Sequence, residues 1–409
     1  MSSRPGWRFL LATASCAVVL IASAVVPAPA AAPASAPTAA PTGSPTGSPV
    51  AGVRAGSPAT APVSRSTMRM RAVLDRPGEQ RVLSLLTSHL RTSPPGAVVR
   101  GVVWTYSSDV MTTALLDAAH RGVRVRVLVG GISCAEPAFL DLVAGLPAAS
   151  WARCVRGSAR GGDSFDGAEA NLHQKSWTFS RVGTERWISV VTTANATDVA
   201  ETDQYNDAVE LVGHHRLYQA LGRVFEQQAR DRPVRRPYRH VELGGGVAAT
   251  FLPWTSPTQR DPVVDRIRSL PGPGTVIRVA QSNWQDPRGV RIAHALVDRR
   301  RAGADVAAVV SSPFGPRVSA VLREGGVRVE SAWFGPRRYS HLKFLAASYD
   351  GARGRVERVW TGSENWWSPS RGHDELVLRV DGRSAFVTYA GFFGRLWREA
   401  RTARLRSAR

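Results

Sequence analysis

The stretches ALLDAAHRGVRVRVLVG, residues 114–130, and ALVDRRRAGADVAAVVS, residues 295–311, match in order and length. Their reading decides the fold. Each opens inside a passage of helical spacing. Ala114, Leu115, Ala118 and Ala119 are the apolar positions over Thr112–Arg121, and Ile292, Ala293, Leu296 and Val297 over Val290–Arg301. A glycine follows, Gly122 or Gly303. Then comes a strand, Val123–Val129 or Asp305–Val310. Upstream of each passage lies another apolar strand, Ala97–Trp104 and Thr275–Ala280. Strand, helix and strand with short links imply parallel strands joined by right-handed crossovers. Two α/β halves in tandem are expected.

The repetition continues downstream. Asn171–Phe179 (NLHQKSWTF) aligns with Tyr339–Ala347 (YSHLKFLAA), and Thr192–Asn195 (TTAN) with Gly362–Asn365 (GSEN). Asn206-Asp207 is set against His373-Asp374. Between the halves, Arg230–His240 is rich in Arg and Pro, and Gly244-Gly-Gly246 follows. This divides the chain into a first repeat over 68–230, a linker over 231–250 and a second repeat over 251–409.

His173-Gln-Lys175 and His341-Leu-Lys343 carry the chemistry. On extended backbone, residues two apart share a face, so each His projects with its Lys. Brought together, the two segments ring one cleft with two imidazoles and two ammonium groups. That set suits phosphoryl transfer. Lysines stabilise the growing negative charge. One imidazole attacks phosphorus, and the other gives its proton to the leaving alcohol and then activates water. Asn195 and Asn365 can donate to phosphate oxygens, as can Thr193 and Ser363. Asp207 and Asp374 are candidates to orient the imidazoles, with Glu375 as the alternative to Asp374. Neither metal nor cofactor enters this scheme. C-x-x-C and H-x-x-H spacings are absent from the sequence, which speaks against a zinc site.

The pairing is not a chance one. The chain holds 53 Lys and Arg, yet only Lys175 and Lys343 are lysines. With nine His, about 0.04 H-x-K pairs are expected at random, and both lysines fall in one. A compact ammonium at these places is not interchangeable with a planar guanidinium.

The pattern resembles the phospholipase D superfamily, whose signature is H-x-K-x4-D followed by G-S/G-x-x-N. His341-Leu-Lys343 with Gly362-Ser-Glu-Asn365 fits it well, and His173-Gln-Lys175 with Thr192-Thr-Ala-Asn195 more loosely. The resemblance covers about residues 97–400. It implies two fused α/β/α sandwich repeats related by a pseudo-twofold axis, with one shared active site at their interface. It also implies a covalent phosphohistidine, usually on the first repeat's His. Two departures stand out: Ser180 and Ser348 occupy the motif Asp positions, and Thr192-Thr193 replaces Gly-Ser. The motif Asp is mostly structural in the family, so its loss is not read as loss of activity.

Other features bear on the setting. Arg4 and Arg8, then the apolar Phe9–Val26 and small residues near 30–36, read as a signal peptide over 1–36. A retained anchor, or a lipoprotein anchor at Cys16, is the alternative. Residues 37–67 form a Pro/Ala/Ser/Thr-rich tether. Cys134 and Cys154 are expected to form a disulfide, with two free cysteines as the alternative. His214-His215 reads as a surface turn. Trp284, Trp333-Phe334 and Trp366-Trp367 either pack the interface of the halves or meet lipid or bases. The formal net charge is +21, and the first 67 residues hold four Arg and no acids, leaving +17 for 68–409. Such a surface attracts nucleic acid and anionic bilayers alike.

The function expected is a secreted, monomeric phosphodiesterase of phospholipase D type. It would take phosphatidylcholine-like lipids to phosphatidate and alcohol, with peripheral membrane contact. A secreted nuclease or nucleotide phosphodiesterase is the alternative, and a non-catalytic lipid- or nucleic-acid-binding relative the third reading.

Overall fold

Residues 68–407 are described by a computed structural model. The expected signal peptide, the Cys16 anchor and the 37–67 tether lie outside the described residues. The first half runs β1 (Arg69–Asp75), α1 (Arg81–Thr92), β2 (Val98–Val103), α2 (Asp109–His120), β3 (Arg124–Gly130), α3 (Pro137–Gly145) and β4 (Trp151–Val155). A small hairpin follows, β5 (Ser164–Phe165) and β6 (Ala168–Glu169), then β7 (Ser176–Val182), β8 (Glu185–Thr192), α4 (Asp198–Thr202), β9 (Gln204–Val212) and α5 (His215–Gln228). The second half runs β10 (Arg239–Gly244), β11 (Val247–Phe251), α6 (Pro262–Arg268), β12 (Val276–Gln281), α7 (Asp286–Arg301), β13 (Asp305–Val310), α8 (Pro316–Glu324) and β14 (Arg328–Ser331). It ends with β15 (Tyr339–Ser340), β16 (Lys343–Gly351), β17 (Gly354–Gly362), β18 (Leu376–Asp381) and α9 (Arg383–Ser407).

The repeated passage folds as its residues dictate. Gly122 and Gly303 adopt φ of 91° and 98°, which a side chain would strain. Each ends its helix with the same pair of bonds. Gly122 N–H donates to Ala119 O and Val123 N–H to Ala118 O; Gly303 N–H donates to Arg300 O and Ala304 N–H to Arg299 O. Both helices begin earlier than the apolar spacing indicated. Ser108 caps α2 by accepting from Met111 N–H, and Pro287 sits in the first turn of α7.

Two mixed sheets result, with matching strand order. The first is β1-β9-β8-β7-β2-β3-β4, and the second is β10-β11-β18-β17-β16-β12-β13-β14. The β2–β3 and β12–β13 pairs are parallel, as the repeats require. The halves also exchange backbone bonds. β15 of the second half pairs with β9 of the first, and Leu172 of the first bridges Asp374 of the second. A shared core fills the space between, with Leu74, Tyr205, Val209 and Leu221 from one half and Phe344, Leu376, Tyr389 and Phe393 from the other.

One boundary moves. Residues 231–250, read as linker, contain β10 and most of β11, so the second sheet begins at Arg239. Gly244, Gly245 and Gly246 all take positive φ and turn a hairpin there. β10 is an edge strand whose outward positions carry His240 and Glu242, and this polar edge hid the strand. Cys134 and Cys154 form a disulfide with Cα atoms 5.5 Å apart, tying the turn after β3 to β4. Among the described residues, no helix is long and apolar enough to cross a membrane.

Candidate active site

Both H-x-K segments sit where a strand begins, next to the other half. His173–Lys175 directly precedes β7, and Lys343 opens β16. His173 N–H donates to Asp374 O and His341 N–H to Tyr205 O, each at 3.0 Å. Each histidine is therefore held by the opposite half. The residue between His and Lys points away. Gln174 bonds Ser176 and Gln228, and Leu342 is buried in the shared core. Lys175 Nζ donates to His173 O at 2.7 Å, and Lys343 Nζ to His341 O at 3.0 Å.

The imidazole partners differ from those first assigned. His173 Nδ1 lies 2.9 and 3.0 Å from the two carboxylate oxygens of Glu375. His341 Nδ1 lies 3.3 Å from Asn206 Oδ1. Glu375, the alternative, replaces Asp374, and Asn206 replaces Asp207. The reason is strand alternation: adjacent residues point to opposite faces. Asp374 turns the other way and accepts from Ser158 Oγ at 2.8 Å and Arg160 N–H at 3.1 Å. Asp207 accepts from the hydroxyls of Thr361, at 2.6 Å, and Tyr389. The backbone bonds set the true register. Thr193 N–H donates to Asp207 O where Ser363 N–H donates to Leu376 O, so Asn206 matches Glu375. The sequence alignment of Asn206-Asp207 with His373-Asp374 was out of this register by two residues.

Thr193 and Ser363 are also reassigned. Thr193 Oγ1 donates to Asn206 Oδ1 at 3.1 Å and accepts from Asp207 N–H at 2.9 Å. Ser363 Oγ accepts from Leu376 N–H at 3.0 Å and bonds Glu375. Both hydroxyls are spent on the imidazole partners instead of being left for phosphate. The asparagines are different. Asn195 Oδ1 accepts from Thr105 N–H at 3.4 Å and Asn365 Oδ1 from Ser282 Oγ at 3.3 Å. With each oxygen engaged, the amide NH2 groups remain as donors. Ser180 and Ser348, at the motif Asp positions, accept from Val98 N–H and Arg355 Nε, both structural bonds.

The electrostatics favour an anion. Burial first, and then Lys175 and Lys343, hold the His173 imidazole well below its usual range. Burial and the same two lysines do so for His341. Burial lowers Lys175 to about 7, against the pull of Glu375, and pushes Lys343 well below its ordinary value. Burial raises Glu375, against the pull of His373 and Lys175. Four cation-forming groups so close together repel protons. A bound phosphodiester would reverse that, because its charge favours every protonated form.

Other residues escaped the sequence reading. Trp104 packs on His173 with centroids 4.9 Å apart, and its ring lies 5.5 Å from Lys175 Nζ. Arg288, fully buried, pairs with Asp261 and Glu364 and donates to the carbonyls of Asn365 and Trp367, fixing the Asn365 loop. Its only sequence signal was a charge on an otherwise apolar helix face. Of the tryptophans, Trp284 and Trp366 are core residues meeting edge to face, while Trp333 is 42% exposed. His214 caps α5 by accepting from Leu217 N–H.

Solved structures resemble this one. The polyphosphate kinase from Porphyromonas gingivalis aligns with a TM-score of 0.53 at 13% identity, over 81% of this chain and 51% of that one. This chain thus spans about half the kinase's length. The phosphatidylserine synthase of Haemophilus influenzae Rd KW20 aligns with a TM-score of 0.54 at 11% identity, over 80% of this chain and 86% of that one. Nuc from Salmonella typhimurium, a phospholipase D family member, matches 40% of this chain and 96% of its own at 17% identity, with a TM-score of 0.31. No protein-family model and no curated protein matches the sequence.

Proposed function

From a chain that has the phospholipase D superfamily fold, we propose a secreted phosphodiesterase that cleaves a phospholipid headgroup ester through a phosphohistidine on His173. One observation carries the reading. Two H-x-K segments, each anchored on the opposite half, meet with a carboxylate behind His173 and a neutral amide behind His341.

The chemistry follows from that asymmetry. Glu375 takes the Nδ1–H of His173, leaving Nε2 as the free lone pair. Nε2 attacks phosphorus and forms a P–N bond while the P–O bond to the headgroup alcohol breaks. The phosphorylated ring is cationic, and Glu375 offsets that charge. His341 gives its Nε2 proton to the departing alkoxide. It then takes a proton from water, whose oxygen bonds phosphorus as the P–N bond breaks. Phosphatidate leaves and His173 is restored. Lys175, Lys343 and the amides of Asn195 and Asn365 neutralise the phosphoryl oxygens throughout.

Lipid as substrate is supported by apolar side chains at the site's end of the first sheet. Val110 and Ile132 are 53% and 66% exposed, on segments that leave the C-terminal ends of β2 and β3. The exposed Trp333 follows β14. Secretion is supported by the N-terminal pattern and by the disulfide, which persists in an oxidising compartment. The basic surface favours nucleic acid as a second reading. The test incubates the purified protein with phosphatidylcholine vesicles and, separately, with single- and double-stranded DNA. Choline release, lost in His173→Ala and His341→Ala, is the expected outcome. Acid-soluble nucleotides without choline would move the function to the second reading. Turnover surviving in either alanine variant would remove the two-histidine mechanism.

A further inference from the structure

A third imidazole stands in the site without a role in the scheme above. His373 is 4% exposed, with its ring centroid 5.8 Å from that of His173 and 6.2 Å from that of Trp367. Asn171 N–H donates to its Nδ1 at 3.1 Å. A nitrogen that accepts carries no proton, so the proton of the neutral ring sits on Nε2. Among the described residues, no protein group bonds that Nε2. The ring also stays neutral. Burial lowers its pKa to about 4; Glu375 pulls the other way, and His173 and Lys175 add to the lowering. His373 is therefore a fixed, uncharged donor across the range in which the site works.

The matching position in the first half is Gln204, because Tyr339 pairs with Gln204 where Asn171 meets His373. Gln204 is braced on both of its amide atoms. Its Nε2 donates to Tyr339 Oη at 2.6 Å, and its Oε1 accepts from Asn206 Nδ2 at 3.4 Å. An imidazole with an uncommitted Nε2–H thus stands beside His173, where the first half has an amide tied to Tyr339 and Asn206. In an in-line displacement the leaving oxygen departs on the side away from the attacking atom. A donor beside His173 therefore meets the phosphoryl group that is retained.

We infer that His373 is a phosphoryl-binding residue that donates its Nε2–H to an oxygen of the retained phosphoryl group. This rests on the phosphodiesterase reading of the site. The test uses the full chain labelled with 15N-histidine, inorganic phosphate as probe, and the variants His373→Phe and His373→Gln. Phosphate should shift the His373 Nε2 proton resonance of the parent protein. His373→Phe should weaken phosphate binding about 10- to 100-fold and raise KM more than it lowers kcat. His373→Gln, which keeps one acceptor and one donor, should recover affinity to within about threefold. The proposal falls if phosphate moves the His173 and His341 signals but not that of His373. It also falls if a folded His373→Phe binds phosphate as the parent does, or if the glutamine variant is as weak as the phenylalanine one. A parent that binds no phosphate and turns over no phosphodiester would overturn the reading of the whole site along with it.

Discussion

His173 and His341 share a backbone setting and differ in one atom type behind the ring. A carboxylate behind His173 raises the basicity of its Nε2 and balances the charge of a phosphorylated imidazole. The amide of Asn206 orients His341 without binding its proton more tightly. Asn206 is itself fixed, since Nδ2 donates to Ala200 O and Oδ1 accepts from Thr193. In the proposed mechanism His341 must be protonated for the first step, and a carboxylate in place of the amide would hold that proton to higher pH. Asn206→Asp should therefore move the alkaline limb of the kcat/KM profile upward by about one unit or more. Glu375→Gln should instead lower kcat about 10- to 100-fold. A pH–rate profile of each variant checks both. An unmoved limb in Asn206→Asp would mean that His341 is not the acid.

At the scale of elements, strand ends do the positioning. β9 and the two residues leading into β18 each lend a backbone carbonyl to the opposite histidine and a side chain to its ring. The turn from β17 to the Asn365 loop passes through Gly362 at φ 147°, where a Cβ would overlap the carbonyl oxygen of Leu376. Thr192 fills the same place in the first half without positive φ, its hydroxyl donating to Asp207 O. The departure from Gly at Thr192 is thus a local change of turn, outside the imidazole contacts. Gly362→Ala should cost about 1–3 kcal/mol and displace Ser363 from Glu375. Thermal unfolding and kcat measured together test this. Thr192→Gly should leave kcat within a few-fold, and a large loss there would show that the first turn is as constrained as the second.

At the scale of the molecule, neither half holds a finished site. The ring partner of His173 comes from the second half and that of His341 from the first. The shared core adds a second dependence. α9 carries Tyr389, Phe392, Phe393 and Leu396 into it, packing against β14, β16, β17 and also β1. Tyr389 reaches Asp207 of the first half. Expressed apart, residues 68–230 and 231–409 should each expose this core and show no phosphodiesterase activity. Circular dichroism melting and the choline assay read both properties. A folded, active half would mean that the reciprocal partners are dispensable.

The sequence by itself determined the two-repeat α/β architecture, because a helix and a strand announce themselves through local periodicity and a glycine that ends the helix. It also marked His173, Lys175, His341 and Lys343, since a rare residue type recurring at one spacing needs no neighbours to be noticed. The strand inside 231–250 was masked by Arg and Gly, which an exposed edge and a tight hairpin both prefer. The tertiary structure alone decided which groups stand behind the imidazoles. Asp207 stands one residue after Asn206 and Asp374 one before Glu375, and a step of one along extended backbone turns the side chain to the other face. Asp207 and Asp374 thereby left the site, and Asn206 and Glu375 entered it from opposite halves. Periodicity within a chain cannot report such a pairing, because it arises from contact between segments roughly 130 to 200 residues apart.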